Sequence, residues 1–254
     1  FIALKGPLFN GNHYALNAVD QGALFAIVDD YKLSQKSEKL IHVEDTYSTL
    51  KNIANYHRKK LNCPVLAITG SNGKTTTKEI IKAVIGKKHE THGTIGNLNN
   101  HIGVPLTILN TPLSSEFLII EMGANHINEI AELCLIAEPT HGFITNFGKA
   151  HIEGFGSEKG VIEGKSELYN YLSNTNGTIF VDIENKKQIK KLDGIPYISF
   201  GDSKKSNYKI SYLSRNNKLE LSFNGITINS SLHGEYNLKN IAAAIPAILV
   251  RPPD

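Results

Sequence analysis

The sequence predicts an α/β protein. A mostly parallel sheet with flanking helices is built around a phosphate-binding loop and preceded by a smaller α/β domain. Three observations carry this. First, Val65-Leu-Ala-Ile68 is a short apolar run that leads into a glycine turn and a helix start, Gly70-Ser-Asn-Gly73-Lys74-Thr75-Thr76-Thr77-Lys78. Second, strand-like and helix-like stretches alternate from residue 65 onward, as a parallel sheet with crossover helices requires. Third, a smaller set of strand and helix signals ends at Asn62-Cys63-Pro64, where proline stops a helix and opens the next strand. The expected domains are residues 1–62 and 63–254.

In order, Phe1–Leu4 reads as a strand, Gly6–Gly11 as a loop, Tyr14–Gln21 as a helix and Ala23–Val28 as a strand. Ile41–Val43 is a further short strand and Thr46–Leu61 a helix. Val65–Ile68 is apolar at every position because a central parallel strand is covered on both faces. Thr76–Ile85 continues the helix that starts near Lys74, and residues 91–103 form a glycine- and asparagine-rich loop. Glu116–Glu121 is a second central strand, Ile127–Ala137 an amphipathic helix and His141–Asn146 a third strand. Glu158–Leu172 is a helix and Gly177–Asp182 a fourth strand. Beyond Tyr197, the alternating stretches Tyr208–Leu213, Leu219–Phe223 and Ile226–Ser230 predict an antiparallel edge. The last helix carries Pro246 in its interior, a cost of about 3 kcal/mol. With a start at Phe1 rather than methionine, this reads as a piece of a longer chain whose residues after Ala244 are not the parent's.

Composition narrows the function classes. The chain has 254 residues, 41% hydrophobic and 20% charged, with a net charge of +3. That charge is too small to argue for nucleic acid or an acidic membrane surface. Cys63 and Cys134 have neither disulfide-framework nor metal-ligand spacing and read as reduced core residues of a cytoplasmic protein. There is no apolar run of the ~20 residues a membrane helix needs, and no signal peptide. A monomer is expected.

The chemistry concentrates at the loop. Gly70 and Gly73 let the backbone turn tightly and approach a ligand. The free N–H groups and positive dipole end of the following helix point into the turn, which suits phosphate. Lys74 would place a charge on the β/γ-phosphates and Thr75 a hydroxyl on Mg²⁺. The spacing is G-x-x-G-K-T, shorter than the Walker pattern, and an ordinary strand–turn–helix corner is the alternative. Glu121 ends an apolar strand at the carboxyl edge of the sheet, where it can hold Mg²⁺ opposite Thr75 or simply cap the strand. His151 is a loop histidine or a metal ligand. Lys165 lies on an amphipathic helix, where spacing alone makes it a solvated lysine. Asn237 and Asn240 sit near a helix start, where Asn237 can be an N-cap or the two amides can read an adenine edge.

These residues carry a resemblance. T-G-S-N-G-K-T-T-T-K (69–78), G-N-L-N-N-H-I-G-V-P (96–105), E-M-G-A-N-H (121–126), I-T-N-F-G-K-A-H-I-E-G-F-G-S (144–157) and H-G-E-Y-N-L-K-N (233–240) resemble the Mur ligases of peptidoglycan synthesis. They are most similar to the members that add D-alanyl-D-alanine to UDP-N-acetylmuramoyl-tripeptide. The start, F-I-A-L-K-G-P-L-F-N-G-N-H, resembles the family's UDP-binding first domain, with Asn10 where the family has aspartate.

The resemblance implies an ATP-dependent ligase acting through an acyl phosphate, with two Mg²⁺ ions. Gly70, Ser71, Asn72, Gly73, Lys74, Thr75, Thr76, Asn237 and Asn240 would bind ATP. Thr75, Glu121, His151 and a CO₂-carbamylated Lys165 would hold metal, with Lys74, Lys165 and His151 serving catalysis. Asn99 and Asn100 would face the UDP-substrate. The implied partners are UDP-N-acetylmuramoyl-tripeptide and D-alanyl-D-alanine, with neither nucleic acid nor membrane. The first domain would be truncated and the family's C-terminal, amino-acid-binding domain absent, leaving the isolated chain inactive in ligation. Two other readings stay open: a related ligase adding a single amino acid to a muramoyl peptide or glutamate to folate, and a nucleotide-binding module without ligase activity.

Overall fold

The structure, a computed structural model, describes residues 1–148, 152–213, 219–248 and 250. The chain divides into two compact units, Phe1–Tyr56 and His57–Asp254.

The first unit opens with a hairpin of β1 (Lys5–Gly6) and β2 (Phe9–Asn10), followed by a 3₁₀ turn at Gly11–Tyr14 and α1 (Ala15–Asp20). The expected strand at Phe1–Leu4 is reduced to one parallel bridge, Ile2 with Ile27. Strands β3 (Ala26–Val28) and β4 (Leu40–His42) pair in parallel. Between them runs α2 (Tyr31–Ser34), capped by Asp30 Oδ1 accepting from the Leu33 N–H at 3.0 Å. Ala3, Ala15, Ala26, Val28 and Leu40 form the core. Helix α3 (Thr46–Lys60) follows.

The second unit is a seven-stranded sheet in which every pairing is parallel. Its strands are β5 (Val65–Thr69), β6 (Thr91–Gly93), β7 (Phe117–Glu121), β8 (His141–Ile144), β9 (Thr178–Asp182), β10 (Ile198–Gly201) and β11 (Tyr208–Lys209), in the order β11-β10-β9-β8-β5-β7-β6. Every residue of β5 and of β7 is buried, which explains their unbroken apolar runs. The order turns at β5: the chain moves first toward β7 and β6, then to β8 on the other side. The carboxyl end of β5 is therefore a switch-point crevice.

Helices α4 (Lys74–Ile85), α5 (Gly103–Leu109), α6 (Glu129–Ala137), α7 (Ile152–Phe155), α8 (Glu158–Asn174) and α9 (Lys186–Lys191) supply the connections. A second sheet, antiparallel, joins β12 (Ser211–Tyr212), β13 (Leu219–Phe223) and β14 (Ile226–Ser230). Helix α10 (Tyr236–Ile248) packs on α4 and continues through Pro246 in its last turn. Leu66 and Ile68 of β5, Ile81 and Ile85 of α4, Leu221 of β13 and Ile241 of α10 belong to one core. Among the described residues, no helix is long and apolar enough to cross a membrane.

Two expectations are corrected. Tyr208–Leu213 is not one antiparallel strand. It splits at Ile210, which is fully buried and donates to Gly201 O. The first half extends the parallel sheet, and the second pairs with β13 in a separate sheet. The loop at 91–103 begins with edge strand β6 and ends where α5 starts. Both ends are too short to show a period.

Candidate active site

The phosphate loop is built from glycines that no other residue could replace without strain. Gly70 has φ +135°, and a Cβ there would overlap Thr145 Oγ1. Gly73 caps α4 in the left-handed region at φ +80°, and a Cβ there would lie 2.6 Å from Asn240 Oδ1. The loop is therefore pressed between the segment after β8 and helix α10.

The segment after β8 braces it with hydrogen bonds. Ser71 N donates to Asn146 O at 3.1 Å and Asn72 N to Asn146 Oδ1 at 3.2 Å. Asn72 O accepts from Thr145 Oγ1 (2.6 Å) and Asn146 Nδ2 (2.9 Å). Ser71 Oγ donates to Gly148 O and accepts from Gly148 N. No side-chain cap hydrogen bond is made at the start of α4, whose first N–H groups have no acceptor within the helix. Lys74 Nζ folds back to donate to Gly70 O at 2.8 Å and Ser71 O at 3.3 Å. Burial pulls its pKa below the usual lysine value, opposed by the charge of Glu121. Thr76 is half-buried on the same turn.

Glu121, at the end of β7, is 1% exposed. Its Oε2 accepts from Thr75 Oγ1 at 2.9 Å, and its Oε1 from Asn99 Nδ2 at 2.7 Å. A carboxylate and a hydroxyl this close are hard oxygen donors of the kind Mg²⁺ takes, with phosphate and water completing its shell. Among the described residues, no group of three or more His, Cys, Asp or Glu is arranged around a common point. The Thr75 hydroxyl and the Glu121 carboxylate thus fit a cation that arrives with a phosphate.

Lys165, on α8, is 1% exposed. It is not the solvated lysine that spacing alone suggested. Its Nζ stands 5.4 Å from the centre of the Phe155 ring. Burial, with the charge of Lys74, pushes its pKa down to about 8 against the opposing pull of Glu129. His151 lies outside the described residues.

The asparagines are placed as follows. Asn99 ties its loop to Glu121, and its backbone carbonyl accepts from Gly123 N at 2.8 Å. Asn100 Oδ1 accepts from Ile102 N and Gly103 N, so it holds the turn that leads into α5. Asn237 and Asn240, both nearly buried, are joined by a 2.8 Å bond from Asn240 Nδ2 to Asn237 Oδ1. Asn240 Oδ1 also accepts from Thr77 Oγ1 at 3.3 Å.

Thr94, Thr145, Asn146 and Lys78 were not singled out from the sequence, although three of them lie inside the quoted T-T-T-K and I-T-N-F runs. In the first unit, a cavity of about 390 Å³ is lined by Asn10, Asn12, His13, Asp30, Lys32 and Lys36 among others. Asn10 Oδ1 accepts from Asn12 there, and Asn12 Nδ2 donates to Asp29 at 2.6 Å.

A family model described as the Mur ligase middle domain matches residues 68–248, a stretch that runs past Ala244. The UDP-N-acetylmuramoyl-tripeptide–D-alanyl-D-alanine ligase of Bacillus subtilis (strain 168) is 34% identical over 252 residues, which is 97% of this chain and 54% of that protein. The enzyme of the same name from Haemophilus influenzae is 37% identical over 256 residues, 96% of this chain and 55% of that one. The chain thus spans about half the length of the curated relatives it matches. Among solved structures, MurF from Acinetobacter baumannii superposes with a TM-score of 0.86 at 29% identity, over 98% of this chain and 56% of that one. The MurF ligase of Thermotoga maritima in complex with ADP superposes with a TM-score of 0.85, also at 29% identity, over 98% and 59%.

Proposed function

The chain belongs to the Mur ligase middle-domain family, and from that premise we propose that it is the ATP-binding part of a ligase that adds D-alanyl-D-alanine to UDP-N-acetylmuramoyl-tripeptide in the cytoplasm. The observation that carries the reading is the meeting of Thr75 and Glu121 at the mouth of a glycine loop. The relatives' names and the ADP complex of the Thermotoga enzyme support the ligase and nucleotide parts.

In this reading, the γ-phosphoryl group of ATP passes to the tripeptide's terminal carboxylate. ADP leaves and an acyl phosphate forms. The amine of D-alanyl-D-alanine attacks its carbonyl carbon, and phosphate leaves as the amide forms. Lys74 releases the loop carbonyls it now holds and turns its ammonium to the transferring group. The first N–H groups of α4 hold the β-phosphate. Thr75 and Glu121 would hold Mg²⁺, which when bound neutralises charge on the phosphoryl group.

Lys165, buried beside Lys74's charge with a lowered pKa, is suited to react with CO₂ as the free amine. The resulting carbamate would give a second Mg²⁺ an anionic oxygen, and His151 would serve as a further ligand, as the family resemblance implies. Asn237 and Asn240 would serve the adenine side, and Asn99 and Asn100 the face toward the UDP-substrate. The cavity of the first unit, with donors, acceptors and both signs of charge, would take the uridine end.

The test is a ligation assay on the complete gene product with UDP-N-acetylmuramoyl-tripeptide, ATP and D-alanyl-D-alanine, reading amide product and ADP together. Amide formed only with the dipeptide supports the proposal. Product from a single amino acid, or ATP binding without product, would replace it with one of the alternative readings.

A further inference from the structure

Lys78 lies on the second turn of α4 and is fully buried. A buried ammonium is tolerated only when its donors are satisfied. Its partners are Thr94 O at 2.6 Å and Gly96 O at 3.4 Å, both from the segment after β6, and the exposed Glu79, next to it on the same helix, at 2.9 Å. Glu121 Oε2 is 3.9 Å away. Thr94 reaches Glu121 a second way, since its Oγ1 accepts the Glu121 N–H at 2.9 Å, while its own N–H donates to Ile119 O. One cation thus ties the helix of the phosphate loop to the segment after β6 and to the carboxylate at the end of β7. Asn99 and Thr75 hold that carboxylate's two oxygens, and only Thr75 belongs to the phosphate-loop helix start.

We propose that Lys78 is a positioning residue for Glu121. It fixes the carboxylate and the Thr94–Gly96 backbone so that Glu121 is already aimed when a nucleotide brings its divalent cation. The inference rests on the nucleotide-binding reading above and deepens it.

The experiment is calorimetric titration of ADP, with and without Mg²⁺, into this chain and its variants Lys78→Met, Lys78→Arg and Thr94→Val. Lys78→Met keeps the metal-free affinity within about twofold but loses about tenfold of the gain that Mg²⁺ brings, the size typical of removing an outer-shell partner. Lys78→Arg restores most of that gain, and Thr94→Val loses part of it. A Lys78→Met chain with the wild-type gain overturns the proposal. So does an equal fall in both affinities, which marks a merely structural lysine. If Lys78→Met does not fold, Lys78→Gln decides in its place: a full gain there overturns the proposal, and a reduced gain there with retention in Lys78→Arg supports it. A wild-type chain that binds no ADP removes the nucleotide reading itself, and this inference with it.

Discussion

Thr75 and Glu121 are 46 residues apart in the chain, yet a 2.9 Å hydrogen bond joins them at the carboxyl edge of the sheet. The pairing of β5 with β7, Ile68 opposite Glu121, brings them together.

Lys74→Ala removes the ammonium from the loop and leaves the packed core untouched. ATP affinity should fall about 10–100-fold, the worth of a charged hydrogen bond to phosphate. The melting temperature should move by no more than a few degrees. Calorimetry with unchanged nucleotide affinity would remove Lys74 from the phosphate site.

Gly70→Ala forces a side chain into φ +135° and onto Thr145 Oγ1. It should destabilise the second unit by about 2 kcal/mol or more, since strain of that kind costs 1–3 kcal/mol before any clash is relieved. Urea unfolding measures it. A variant as stable as wild type would mean that the loop after β8 yields freely.

Lys165 should carry a carbamate. An unperturbed lysine is well under about 1% neutral at pH 8, whereas a group titrating there is about half neutral. The ¹³C signal from labelled bicarbonate should therefore grow as pH rises through about 8 and fade below it. Lys165→Ala should lack the signal, and in the complete gene product it should lose ligation, with partial rescue by short carboxylates. No wild-type signal at any pH would set the carbamate aside.

His141 makes the second unit acid-sensitive. Burial pulls its pKa from 6.5 to about 4, with Thr140 Oγ1 at 2.8 Å and the Phe180 ring stacked at 6.0 Å. Between those values the unfolded chain binds the extra proton, so stability falls as pH drops from 6.5 toward 4. The loss is at most about 3 kcal/mol. Chemical denaturation across that range should show the slope, and His141→Gln should flatten it. An equally steep slope in the variant would assign the effect elsewhere.

The α/β class, the parallel sheet and the loop at 70–74 were legible because each has a local signature. An apolar run, paired glycines and a helix start lie within one short stretch, and their geometry follows from backbone sterics alone. Strands β6 and β10 and helix α9 were not legible. The first two are short, and Lys186–Lys191 is a polar helix without an apolar stripe. Lys78 looked like the tail of a polar run. Nothing in its neighbours announces that Thr94 and Glu121 will close over it.

By itself the sequence determined which residue types stand at the phosphate loop, that β5 and β7 are buried on both faces, and where α4 begins. Those outcomes depend on neighbours within a turn or a strand. The tertiary structure alone decided that Tyr208–Leu213 divides between two sheets, that Asn146 and Asn240 brace the loop, and that Lys165 and Lys78 are buried. Strand partners and burial are set by which distant segments exclude water together, and that depends on long-range packing rather than local order.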